Sequence, residues 1–232
     1  MQPPKQHPLA SDRLINILGF ASGIGWILNY ILMTYTSFRD ETYSMSILPL
    51  CCNIAWEFVY GVLYPSSRFV RRPVILSWLV LNCLVMFAAI RYAPNAWAHA
   101  PLVQEHLPLL FGVGIVACTG FHLALIRKFD SATAFLWSAR TCQVLLSIGA
   151  LFQLLCRGDT RGASWELWYV SAILPPILHN FFPQRNPTKG AFAWLDDPLT
   201  AYCIATWMVS DVLYGVVFYS IRRGEWALEN KV

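Results

Sequence analysis

The chain has 232 residues, 56% of them hydrophobic and only 13% charged, with a formal net charge of +4. Soluble domains carry roughly 25% charged residues, so this composition argues against a water-exposed globular fold. The basic residues sit in short connections, which reads as membrane topology and not as a nucleic-acid surface.

The apolar residues fall in seven blocks, at 14–36, 44–64, 73–90, 107–126, 133–155, 165–182 and 199–221. A spanning helix needs ~20 mostly apolar residues, and each block is close to that length. Backbone groups in lipid must pair within their own segment, so helices are expected. A membrane barrel would need ~10-residue alternating strands, and no such pattern occurs. The expected fold is all-α: a single polytopic domain over residues 1–232, a bundle of seven transmembrane helices.

In chain order, "MQPPKQHPLASDR" leads into a full-length apolar block, so it reads as the lead of an anchor helix and not as a secretory signal. The second block carries Glu57 within "NIAWEFVYGVLYP". The stretches "RYAPNAWAHAPLVQEH" (91–106) and "PQRNPTKGAFAWLDDP" (183–198) mix Pro, Trp and charge, and are expected as interfacial loops. The fourth block holds His122 and the fifth Arg140. Glu166 stands at the mouth of the sixth, where Pro175-Pro176 should kink the helix. His179 follows in the same block, and the seventh contains Asp211. The seven cysteines show no zinc-type spacing and are expected as small packing residues. Counting Lys and Arg outside the spans gives a small margin for a cytosolic N-terminus.

Charge deep in a bilayer costs ~3 kcal/mol or more, so Glu57, Arg140 and Asp211 are the first candidates for function. The two acids share a local pattern, Glu57-x-x-Tyr60-Gly61 and Asp211-x-x-Tyr214-Gly215. Positions i, i+3 and i+4 lie on one helix face. Each acid should therefore have a tyrosine beside it and a glycine opening space. Asn53 and Trp207 lie one turn back on the same faces. At 1.5 Å per residue the acids sit at depths of roughly 10 and 18 Å from one side, so one cavity can hold both. Arg140 is expected to snorkel or pair with a carboxylate, and the histidines to be satisfied polar groups. A buried carboxylate can also simply tie helices together.

A desolvated carboxyl can stay neutral and donate a proton, and two carboxyls in different settings can divide acid and base roles. Aromatic faces stabilise cations. Together these suit a carbocation reaction on a lipophilic substrate. Asp196-Asp197 is the only Asp-Asp pair, and no magnesium–diphosphate motif or Gly-rich phosphate loop is present. No metal and no cofactor are expected.

The sequence resembles the small seven-span terpene cyclases of fungal meroterpenoid and indole-diterpene biosynthesis. The resemblance is carried by "GWILNY" (25–30), "LPLCCNIAWEFVYGVLYP" (48–65), "APNAWAHAPLV" (93–103), "CQVLLSIGALFQLLCRGDTRGASWELW" (142–168) and the acid of the seventh block. It covers nearly the whole chain, less clearly over "PPILHNFFPQRNP". It implies a metal-independent enzyme of the endoplasmic reticulum membrane. Such an enzyme protonates the terminal epoxide of a prenylated aromatic or indole and closes the polyene into rings. A prenyltransferase and a flavin epoxidase act upstream. The family's two essential acids match Glu57 and Asp211. By this resemblance Glu57 protonates the epoxide, while Asp211 assists or takes the final proton. Asn53, Trp56, Tyr60, Trp207, Tyr214, Trp26 and Tyr30 are the expected substrate-binding residues, with Asn53 orienting Glu57.

The alternative from another class is a proton-coupled seven-helix transporter, since intramembrane acids also relay protons. Its three-plus-one-plus-three plan pairs the second helix with the sixth, whereas the acid motifs lie on the second and seventh. A retinal protein is excluded because no lysine lies in a block.

Overall fold

A computed structural model describes residues 12–65, 71–173 and 197–230. It is helical, with no strand among the described residues. The helices are α1 (Asp12–Arg39), α2 (Ile47–Phe58), α3 (Arg71–Ala96), α4 (Pro101–Lys128), α5 (Ser131–Arg157), α6 (Trp165–Trp168) and α7 (Pro198–Glu229). Two π-helical turns extend them, Val59–Leu63 after α2 and Tyr169–Ile173 after α6.

Four segments are long and apolar enough to cross a membrane: Arg72–Ala96, Pro101–Lys128, Ser131–Arg157 and Pro198–Leu228. Ile47–Leu63 is a shorter apolar helix. Large apolar side chains stay exposed on the outside, among them Val80, Phe87, Val116 and Val212. In water such a surface would call for a partner. In hydrocarbon it is the ordinary solvent-facing side. The molecule is an all-α membrane bundle.

α2 is the interior helix. Every residue from Pro49 to Glu57 is buried, as expected of a helix apolar on all sides. It packs on α3, α4 and α5, while α5 packs on α7 and α1 on α3. Local chemistry sets the helix ends. Asp130 caps α5 by accepting from the Ala132 and Thr133 amides, and Gly158 closes it at φ 67°. Asp197 caps α7 by accepting from the Leu199 amide, with Pro198 as its first residue.

The structure corrects one expected loop. Most of 91–106 is helix, because α3 runs on to Ala96 and α4 starts at Pro101. Pro101 suits a first helical position, where no amide bond is lost. The turn left between them is pinned by Asn95, which donates to the Glu41 carbonyl at 2.8 Å, and by Trp97, which donates to the Tyr43 hydroxyl at 3.1 Å. Pro175-Pro176, His179, Asp196 and the connection at 183–196 lie outside the described residues.

Candidate active site

Glu57 is the penultimate residue of α2, just before the π turn, and is 1% exposed. No ion pair reaches it among the described residues. Two neutral donors from flanking helices hold its carboxyl. Tyr30 of α1 donates its hydroxyl to Oε1 at 2.8 Å, and Asn82 of α3 donates its amide to Oε2 at 3.1 Å. Trp26 leans on Tyr30 from one turn back, with ring centres 5.9 Å apart.

Tyr30 is thus a direct partner of the acid. Asn82 was not singled out from the sequence, although an amide alone in the apolar run "VILSWLVLNCLVMFAAI" is itself a signal. The bond expected from Asn53 to Glu57 is not made. Asn53 points its amide at the Met45 sulfur, 3.9 Å away.

The stripe expected to run from Glu57 through Tyr60 and Gly61 also changes. The helix widens into a π turn at Val59, where the Tyr64 amide bonds the Val59 carbonyl. Such turns are frequent at functional sites. Tyr60 turns to α5 and shares a 2.8 Å hydrogen bond with Ser138. Its ring and those of Trp56, Trp78 and Phe135 form a buried aromatic cluster, with neighbouring centres 5.1–6.2 Å apart.

Asp211 has a different setting. It is partly buried on α7, facing α5 near Ser147. Trp168 of α6 donates its indole N–H to the Asp211 backbone carbonyl at 2.8 Å. Trp207, one turn back, is 3% exposed. Tyr214, one turn on, stacks on Phe218 at 6.2 Å. No hydrogen bond joins Asp211 to Glu57. Instead α5 packs on both of their helices, turning Ser138 and Cys142 towards α2 and Ser147 towards α7.

The glycines expected to open space beside the acids are filled from outside. A Cβ on Gly61 would lie 3.1 Å from Ile75 of α3, and one on Gly215 would lie 2.7 Å from the Trp168 ring. Both glycines allow a neighbouring helix to approach. Unpartnered polar atoms lie on the helices around the acids instead. Asn82 Oδ1 lies beside Glu57, and Trp56 Nε1 lies in the neighbouring aromatic cluster. Trp207 Nε1 and Asp211 Oδ2 lie on one face of α7. All four are buried without a hydrogen-bond partner among the described residues. Native structures leave few such groups unexplained, and a bound ligand is one of the accepted explanations.

Arg140 lies over the Trp137 ring at 4.9 Å, and no ion pair to it occurs among the described residues. Among the described residues, Asp197 at the exposed start of α7 is the carboxylate that bears on it electrostatically. His122 is fully buried and is only half satisfied. Its Nε2 lies 3.2 Å from the Cys52 carbonyl, while Nδ1 has no partner. The Cys52 and Cys142 sulfurs are 3.6 Å apart, and the Cys52 sulfur is 3.6 Å from His122 Nε2. These three ligand-type atoms lie within 4.8 Å of one another. Spacing along one chain segment does not reveal a cluster built from α2, α4 and α5. Glu166, at the head of α6, lines a cavity at the end of the bundle.

The sequence has relatives of known kind. A family model of Pyr4-like transmembrane terpene cyclases matches residues 1–224. Terpene cyclase andB of Emericella variicolor is 70% identical over 230 residues, 98% of this chain and 97% of the relative. Terpene cyclase atmB of Aspergillus flavus is 44% identical over 219 residues, 91% and 88% of the two chains. Terpene cyclase paxB of Penicillium paxilli is 43% identical over 228 residues, 98% and 93% of the two chains.

Proposed function

We propose a mechanism on one premise: the chain belongs to the Pyr4-like transmembrane terpene cyclases, membrane-bound enzymes that cyclise terpenoids. The transporter alternative gives way to that family. The reaction starts when Glu57, as a neutral acid, protonates the terminal epoxide of a prenylated aromatic or indole. One observation supports this most. Glu57 is sealed from solvent, has no cationic partner among the described residues and is held through both oxygens by neutral donors. A group kept this way can release its proton to a substrate oxygen while Tyr30 and Asn82 hold the remaining carboxylate.

Epoxide opening leaves a carbocation that successive alkenes of the polyene attack, closing rings without change of mass. The aromatic faces of Trp56 and Tyr60 stabilise cationic carbon near Glu57, at ~1–2 kcal/mol per well-placed ring. Trp207 and Tyr214 do so near Asp211, and Trp26 braces Tyr30. Asp211 assists the first protonation or accepts the proton lost at the end, and the unpartnered Oδ2 suits either role. Neither step uses a metal or a cofactor. The substrate comes from a prenyltransferase and a flavin epoxidase, and the seven-span domain works in the endoplasmic reticulum membrane.

The test uses microsomes from a host that expresses the chain, supplied with a prenylated epoxide of each kind. Wild type should form an isomer of unchanged mass with more rings. Glu57→Gln keeps the size of the side chain and removes the acid. It should lower the rate at least ~100-fold, the usual range for a general acid. Full activity at normal abundance would refute the role of Glu57.

A further inference from the structure

A cavity of about 520 Å³ lies at one end of the bundle, where the C-terminal ends of α1, α5 and α7 meet the start of α6. Its lining combines three guanidiniums, Arg39, Arg161 and Arg222, with three carboxylates, Asp40, Glu166 and Glu225. Two of the carboxylates are engaged. Asp40 binds Arg39 and accepts from the Gly162 amide at 2.7 Å. Glu225 accepts from the Thr160 amide at 2.8 Å and from its hydroxyl. Arg161 pairs with Asp159 at 2.8 Å and Arg222 with Glu225 at 3.3 Å, but both side chains remain 52% exposed, and a guanidinium carries five N–H donors, more than one carboxylate uses.

The wall on the bundle side is aromatic. Trp165 and Phe218 meet edge to face at 4.7 Å. Phe218 stacks on Tyr214, Trp165 meets Trp168 at 5.6 Å, and Trp168 is bonded to the Asp211 carbonyl. A column of rings therefore connects the cavity to Asp211. Asp211 lies roughly 16 Å along α7 from Arg222, and Glu57 roughly 15 Å along α2 from Ile47, at 1.5 Å per residue. The α1–α2 connection starts at the cavity with Asp40, and along α5 Ser147 lies by Asp211 while Cys142 and Ser138 face Cys52 and Tyr60, so Glu57 stands deeper from this end than Asp211.

We propose that this cavity seats the polar ring end of the prenylated substrate, with its oxygen substituents facing Arg161 and Arg222 and its prenyl chain running along the aromatic column to the acids. This rests on the epoxide-cyclase reading above. The balance of charge suits an uncharged ring with hydroxyl or carbonyl groups better than a phosphate, for which the three carboxylates would be repulsive. The edge-to-face pair offers the ring an apolar surface. The head group is thereby fixed at the bundle end, and the reacting end of the chain is delivered to the buried acids.

The full-length protein in nanodiscs would be irradiated with a prenylated, non-epoxidised ring compound that carries a diazirine on the ring. Labelling is expected within 160–166 and 218–225. In parallel, Arg161→Gln and Trp165→Leu would be assayed with a ring-bearing epoxide and with a prenyl epoxide lacking the ring. Selectivity for the ring-bearing substrate should fall about tenfold, through KM, the effect of losing one charged hydrogen bond or one aromatic contact. Labelling confined to the helices around Glu57 would overturn the proposal. So would equal losses on both substrates, or a selectivity change that tracks the anionic lipid content of the nanodisc, which would mark a lipid headgroup as the occupant. If wild type cyclises no epoxide while the label still lands at the cavity, the seat stands and the epoxide reading falls.

Discussion

Asn82 shows how a single amide decides what a buried acid can do. It donates to Glu57 Oε2, and Tyr30 donates to Oε1. In the proposed mechanism, removing one donor leaves the carboxyl able to rotate and removes ~1–3 kcal/mol of stabilisation from the charged form that follows proton release. Asn82→Leu, close in volume, should therefore lower kcat roughly ten- to a hundredfold. Tyr30→Phe should act in the same direction. The two losses should not add, since both act on one carboxyl. Single-turnover rates at matched microsomal abundance would check this, and a wild-type rate for Asn82→Leu would show that the amide has only a packing role. The acid pair, the tryptophans and Tyr30 were all legible as residues. Which of them bond to one another was not, because Tyr30, Glu57 and Asn82 come from three helices.

At the scale of elements, the glycines next to the acids serve as contact points between helices. At Gly215 the Trp168 ring occupies the place of a side chain. A rigid indole bonded to the α7 backbone has little freedom to shift. Gly215→Val should then cost ~1–3 kcal/mol by overpacking and move α6 away from α7. A lower Tm in detergent or nanodisc, together with slower turnover, is the expected result. Unchanged values of both would mean that Trp168 relocates freely. The π turn after Glu57 belongs to this scale as well. The residue pattern predicted one stripe through Glu57, Tyr60 and Gly61, but the wider turn sends Tyr60 to Ser138 on α5.

At the scale of the whole molecule, polar contacts at the bundle end tie helices together that lipid does not drive together. Glu225 of α7 takes both the amide and the hydroxyl of Thr160, in the connection between α5 and α6. Its exposed pair with Arg222 adds little. The Thr160 contacts are the ones that count, at ~1–3 kcal/mol for bonds to a charged group. Glu225→Gln should lower Tm by about 2–4 °C for each kcal/mol lost, as read in nanodiscs. Burial alone would raise the Asp40 carboxyl, but Arg39 and the Gly162 amide offset this and hold it below its ordinary value. Asp40 thus stays charged on the other side of the same cavity.

Composition and block length by themselves determined an all-α membrane protein, because hydrocarbon leaves a backbone few ways to pair its polar groups. Charge scarcity likewise singled out Glu57 and Asp211, since an acid in lipid is costly enough to stand out in a single sequence. The tertiary structure decided the rest. It supplied the donors to Glu57, the separate setting of Asp211 and the meeting of Cys52, His122 and Cys142. It also turned most of the 91–106 stretch into helix and placed the cavity where four helix ends converge. Periodicity reports which residues share a face of one helix, whereas these features arise where faces of different helices meet.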